Sequence, residues 1–125
     1  MTQDSPHSPP RLRLRIQFGD DAMLGPGKAD LLEQIQATGS IAAAGRAMGM
    51  SYKRAWSLVE EMNAAFQPAL VDRARGGAQG GGAALSETGQ QVLAHYRRIE
   101  DIATQSSTAE MDALRQLLSD MSGGK

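Results

Sequence analysis

The sequence predicts an α+β domain, mainly α, with a short N-terminal strand and a hairpin set among the helices. Three observations predict it. Polar and apolar residues alternate in RLRLRIQFGD (11–20), and between residues 28 and 66 Ser and Gly stand at the ends of segments with helical periodicity. Two short apolar segments also flank GGAQGGG (76–82). At 125 residues the chain has the size of one ordinary domain.

The first elements follow from periodicity and helix-ending residues. Residues 11–20 alternate as a half-buried strand does, and GPGK (25–28) interrupts the pattern. Apolar residues at helical spacing predict a first helix over 28–38, with Gly39 as its C-terminal stop. Ser40 is predicted to cap a short second helix, IAAAGRAM, which Gly49 ends.

A third helix is predicted from Tyr52 to Phe66, with Ser51 as its N-cap. Only a few residues separate it from the second helix. One face of this helix is apolar and suited to packing on a scaffold; it comprises Ala55, Val59, Met62 and Phe66. The other face begins with polar and cationic side chains, namely Tyr52, Lys53, Arg54 and Ser57.

The C-terminal half is predicted to hold a hairpin and two helices. ALVDRAR (69–75) and AAL (83–85) are its strands, joined by the glycine-rich segment. Ser86 then caps a long helix with an apolar stripe of Val92, Tyr96, Ile99 and Ala103. Ser107 and Glu110 stand at capping-box spacing before a final amphipathic helix, whose apolar stripe is Met111, Leu114, Leu118 and Met121.

This order of elements is that of a winged helix-turn-helix domain, in which the third helix enters the major groove of DNA. Such a helix needs side chains at its start that reach base edges and phosphates. The small residues Ala43, Ala44 and Gly45 suit the close approach of two helices at a tight turn. The sequence therefore predicts that the third helix and the hairpin, the wing, form a DNA-binding surface.

The charge distribution favours the same surface. The net charge of the chain is −1, but residues 40–98 carry seven Lys and Arg against four Asp and Glu, a net of +3 that leaves −4 for the remainder. This split predicts a basic face flanked by acidic segments.

The motifs resemble a known family. GSIAAAGRAMGMSYKRAWSLVEEMN (39–63) and LVDRARGGAQGGGAALSETGQQVL (70–93) look like the N-terminal DNA-binding domain of the molybdate-responsive regulators, ModE, and the likeness is most specific in SYKRAW, EMN and GGAQGGGAALSETG. LysR-type regulators share a looser pattern, an Ala-rich helix and a wing ending near LSETG, but usually lack the SYK-x-AW and glycine-rich signatures.

The resemblance implies a homodimer that binds double-stranded DNA at a palindromic operator. The expected DNA-binding residues are Ser40 at the start of the second helix and, at the third helix and the wing, Ser51, Tyr52, Lys53, Arg54, Ser57, Arg73, Arg75, Gly76, Gly77, Gln79 and Gly80. ModE proteins generally continue into a domain that binds molybdate or tungstate. We see no such molybdate site in this chain and expect no cofactor.

Other readings of the same residues remain open. The wing could be a plain flexible hairpin, or its glycines could cradle a nucleotide phosphate, although no GK[ST] ending follows. Tyr52 suits either DNA contact or packing, and Trp56 is predicted to belong to the core. The fold could also serve as a protein-interaction adaptor with no role on DNA.

No catalytic or metal-binding set is predicted. Cysteine is absent, His7 and His95 have no paired ligand, and adjacent Glu60 and Glu61 point in different directions on a helix. We therefore expect a protein that is not an enzyme.

The chain is expected to divide into a disordered tail (1–10), a DNA-binding domain (11–104) and a dimerisation helix (105–125). It lacks a signal-peptide pattern and any apolar segment of membrane-spanning length, so we expect a cytoplasmic location and no membrane partner.

Overall fold

The computed structural model describes residues 10–74 and 82–118 and has an α+β, mainly α, winged helix-like fold. The elements in chain order are β1 (Ile16–Phe18), β2 (Ala22–Leu24), α1 (Pro26–Thr38), α2 (Ile41–Ala47), α3 (Tyr52–Ala65), β3 (Val71–Ala74), β4 (Gly82–Leu85), α4 (Glu87–Ser106) and α5 (Thr108–Leu117). The predicted fold class is confirmed.

The starts of α2, α3 and α4 lie where local chemistry predicts them, whereas α1 begins at Pro26, two residues before its predicted start, because proline is favoured in the first turn of a helix. Ser40, Ser51 and Ser86 each accept a hydrogen bond from a backbone N–H in the first turn of α2, α3 and α4, which satisfies a donor that has no partner inside the helix. Gly39 and Gly49 follow α1 and α2 with φ of 74° and 71°, a conformation that residues with a side chain rarely adopt.

Both hairpins are antiparallel and two-stranded. In the wing, β3 and β4 form the hairpin that the sequence predicts, and the structure gives its register as Val71 to Leu85 and Ala74 to Gly82. At the N-terminus, β1 pairs with β2, a strand that the sequence analysis did not predict. The predicted strand over 11–20 is also too long, because only residues 16–18 have a partner strand there.

The core lies between α1, α2, α3, α4 and the two hairpins. Its largest fully buried side chains are Tyr96, Leu31, Leu32, Ile35, Met62, Leu70 and Val59. The α5 helix contributes no buried residue. The predicted Ser107 capping box is wrong: the Ser107 hydroxyl donates 2.5 Å back to the Ala103 carbonyl, so it does not cap α5. The end of α5 at Leu117 also excludes Leu118 from the helix, and Met121 lies outside the described residues.

Candidate nucleic-acid interface

The start of α3 presents cationic side chains to solvent. The Ser51 hydroxyl accepts a hydrogen bond of 3.0 Å from the Arg54 N–H. Ser51 is thus the N-cap of α3, whose first residue is Tyr52. Lys53 and Arg54 are exposed, and within the described part of the chain neither forms an ion pair. Tyr52 is 52% exposed, so its ring is available on the surface and is not part of the core.

The opposite face of α3 packs on the scaffold. Its buried residues are Ala55, Leu58, Val59 and Met62. Phe66, predicted for the same face, is half-buried after the helix end and meets the ring of Phe18 edge-on at 6.1 Å between centroids. Ser57 is half-buried as well. The apolar and cationic faces of α3 are therefore separated as the periodicity predicts.

The helix α2 approaches α3 closely at a glycine. A Cβ at Gly45 would lie 3.0 Å from the Cβ of Ala55 and 3.4 Å from the Met50 carbonyl oxygen. At the other end of α2, the Ser40 hydroxyl accepts from the Ala43 N–H at 3.0 Å. The predicted close approach of the two helices is confirmed.

Arg73 on the wing is held against α3 by an aromatic ring. Its guanidinium lies 4.8 Å from the centroid of Trp56, a cation–π contact that contributes about 0.5–1 kcal/mol at an exposed site. Trp56 is half-buried and packs against the core, so the prediction that it belongs to the core is confirmed in part. The ring thus connects the first strand of the wing to the third helix.

Three of the predicted site residues share one cleft. A depression of about 230 Å³ is lined by Ser40 of α2, Tyr52 of α3 and Arg73 of β3, together with residues of β4. We call the exposed set Tyr52, Lys53, Arg54 and Arg73 the recognition surface. The remaining predicted wing residues lie outside the described residues; they are Arg75, Gly76, Gly77, Gln79 and Gly80.

Asn63, which the sequence analysis did not single out as a site residue, fixes the wing to α3. Its side-chain oxygen accepts from the N–H groups of Leu70 (2.9 Å) and Val71 (3.1 Å), and its nitrogen donates 3.1 Å to the Val71 carbonyl. The sequence shows only an Asn near the predicted end of a helix. Its partners could not be predicted, because they depend on how the chain folds back onto α3 after the helix ends.

Arg97 lies within residues 40–98, for which the charge count predicts a basic face, but it does not belong to that face. It is hydrogen-bonded to Asp30 and Glu33, which tie α4 to α1, and to Glu100 one turn further along α4. Partial burial by itself lowers the pKa of Arg97, but the hydrogen bonds to the three carboxylates outweigh it and raise the pKa above its ordinary value. Its charge is compensated inside the protein.

Within residues 10–74 and 82–118, no group of three or more His, Asp or Glu side chains could hold a metal ion. Over the same ranges, no helix combines the length and apolar character that crossing a membrane requires.

Comparisons with known proteins point to molybdenum-related regulators. No protein-family model matches the chain. It is 40% identical over 112 residues to the molybdenum transport protein ModE of Azotobacter vinelandii, covering 90% of this chain and 40% of that protein. It is 38% identical over 89 residues to the DNA-binding transcriptional dual regulator ModE of Escherichia coli K12, covering 71% of this chain and 34% of the relative.

A relative with a different name is the molybdenum-pterin-binding protein MopB of Rhodobacter capsulatus. The chain is 44% identical to it over 79 residues, which are 63% of this chain and 29% of MopB. The chain thus spans about 30–40% of the length of these three relatives. The similarities support a relationship with the ModE regulators, and none of the three relatives is named as an enzyme.

Proposed function

We propose that this chain is a sequence-specific DNA-binding transcriptional regulator of the ModE type. Helix α3 lies in the major groove, and the wing lies along the adjacent sugar-phosphate backbone. The observation that carries the proposal is the recognition surface, where Lys53 and Arg54 stand exposed without ion-pair partners among the described residues and Arg73 is held beside them on Trp56.

The physical basis is charge complementarity with the duplex. Unpaired cations at the start of a groove-binding helix release counterions from phosphates, which supplies affinity without sequence preference. Sequence preference comes from base-edge contacts in the groove, for which Tyr52 and Ser57 lie on the same helix. The hydroxyl oxygens of Ser40 and Ser51 accept the capping hydrogen bonds of α2 and α3. Their hydroxyl hydrogens remain to donate hydrogen bonds to DNA phosphates.

The proposal includes a homodimer on a palindromic operator. Large apolar side chains of α4, α5 and the following residue are exposed in the single chain; they are Ile99, Ile102, Leu114, Leu117 and Leu118. We call them the C-terminal surface. A second copy of the chain would cover this surface and place two α3 helices about 34 Å apart, one turn of DNA.

The similarity to ModE regulators extends the proposal to genes connected with molybdenum. Two of the three relatives are named for regulation or transport, and MopB is named for binding molybdenum-pterin. The likeness to LysR-type helix-turn-helix domains stays a prediction. The operator-bound dimer is expected in the cytoplasm, on the bacterial chromosome.

Fluorescence polarisation with a labelled 30-base-pair duplex of random sequence tests the proposal. If each protomer of the dimer contacts about four phosphates, the dimer makes about eight contacts. At roughly −0.9 per contact, the logarithm of the binding constant then falls against the logarithm of the salt concentration with a slope of about −7 or steeper. The variant K53Q/R54Q should bind about 100-fold more weakly, at 1–3 kcal/mol per contact, and keep its thermal stability.

The control is Arg98→Gln, which removes an exposed charge on α4, away from the recognition surface. A wild-type protein that fails to bind duplex, or a folded K53Q/R54Q variant with unchanged affinity, would favour the protein-interaction adaptor instead. Selection of bound sequences from the random pool then gives the operator, which should read as an inverted repeat.

A further inference from the structure

A second cleft lies against α3, next to Arg54. It measures about 460 Å³, and its lining includes Arg13 and Arg15 before β1, the start of α1, and the Arg54, Leu58 and Glu61 positions of α3. Because residues four and seven apart share one side of a helix, this cleft follows a single side of α3. The Tyr52 and Trp56 positions, which border the wing, lie on the other side.

The charges in this cleft are unbalanced. Lys28 is neutralised there, since its Nζ lies 3.2 Å from a Glu61 carboxylate oxygen and donates 3.1 Å to the Met23 carbonyl. Arg13, Arg15 and Arg54 also line the cleft, and none forms an ion pair with any residue that the structure describes. Among the described residues, the Glu61 carboxylate of this cleft pairs with Lys28, and the three guanidinium groups have no ion-pair partner.

By position in the sequence, Arg13 and Arg15 belong to the part of the chain with a net charge of −4, outside residues 40–98. In the folded protein they stand beside the recognition helix. Leu14, between them, is anchored by the Tyr96 hydroxyl, which donates 2.6 Å to its carbonyl. In extended chain, residues two apart point to the same side, so one anchored Leu14 directs both arginines toward the cleft.

We propose that Arg13, Arg15 and Arg54 form a binding site for the phosphodiester backbone of DNA, on the side of α3 opposite the wing. This inference rests on the proposed function. A helix in the major groove has a sugar-phosphate strand on each side, and Arg73 faces one of them. Guanidinium groups bind phosphate oxygens in pairs of parallel hydrogen bonds, which suits the cleft to the other strand.

The site changes the expected salt dependence. Four phosphate contacts per protomer, from Lys53, Arg54, Arg73 and Arg75, give a dimer a slope near −7, whereas two more from Arg13 and Arg15 bring it to about −11, at roughly −0.9 per contact. The R13Q/R15Q variant should return the slope to about −7 and weaken binding at low salt at least tenfold. Both side chains are exposed, so the variant should keep the thermal stability of the wild type.

The measurement uses the full chain and the 30-base-pair random duplex, with Arg98→Gln as the control for loss of a remote charge. A folded R13Q/R15Q variant with the wild-type slope would overturn the phosphate site while leaving the proposed function intact. A wild type that does not bind duplex would overturn both. A parallel titration with inorganic phosphate separates the sources: phosphate binding lost in R13Q/R15Q without a change in DNA slope would mean a free-anion site and would also overturn the inference.

Discussion

The recognition surface and the helix α4 both carry arginines, yet the structure uses them in opposite ways. Lys53, Arg54 and Arg73 project to solvent with no ion-pair partner among the described residues, whereas Arg97 is surrounded by three carboxylates. The large apolar side chains that α4 and α5 leave exposed belong to the C-terminal surface. A basic side chain is therefore free to bind a DNA phosphate only where the fold places no carboxylate beside it.

The largest expected effect concerns the C-terminal surface. Leu117 is 81% exposed in the single chain, and burying a leucine contributes about 1.5–3 kcal/mol. Each of two copies loses this contribution in Leu117→Asp, so the dissociation constant of the dimer should rise about 100-fold or more. Sedimentation velocity measures it. The neighbouring Gln116→Asp adds the same charge on another side of α5 and should leave the dimer intact; equal behaviour of the two variants would contradict this interface.

Removing the Arg97 charge should reduce stability and spare DNA binding. Arg97→Met leaves Asp30, Glu33 and Glu100 clustered without their cation, and we expect a loss of about 1–2 kcal/mol, moderated by the partial exposure of all four groups. Urea unfolding measures the loss, with Arg98→Met as the control. A folded Arg97→Met protein that binds duplex poorly would mean that Arg97 contributes to DNA binding, which would contradict this prediction.

A smaller effect is expected from Tyr96→Phe, which removes the hydrogen bond to the Leu14 carbonyl. The expected cost is about 1 kcal/mol at neutral pH, since a carbonyl loses its partner. Burial raises the pKa of Tyr96 above its ordinary value of 10.0, and the nearby carboxylate of Glu100 adds to this increase.

The sign of the pH dependence follows from that shift. Above about pH 10 tyrosine ionises more readily in the unfolded chain than in the folded one, so this stabilisation is present below pH 10 and is lost as the pH rises through the folded pKa. Urea unfolding at neutral and at alkaline pH should therefore show a smaller alkaline loss in Tyr96→Phe. The same loss in both proteins would contradict a role for Tyr96.

Most of the helix ends and the hairpin of the wing could be predicted from the sequence alone. Serine caps, glycine stops and apolar periodicity act within a few residues, so the bounds of α2 and α3 and the pairing of β3 with β4 could be predicted from neighbours alone. The cationic start of α3 followed from the same local reasoning.

Only the tertiary structure decided which charged and polar groups meet. Arg97 lies 67 residues from Asp30, Tyr96 lies 82 residues from Leu14, and Arg13 and Arg54 line one cleft although they are far apart in the sequence. The contact of Arg73 with Trp56 and the hold of Asn63 on the wing also depend on the return of the chain. Local propensity sets where helices begin and end, but the pairing of distant groups depends on the packing of the whole chain.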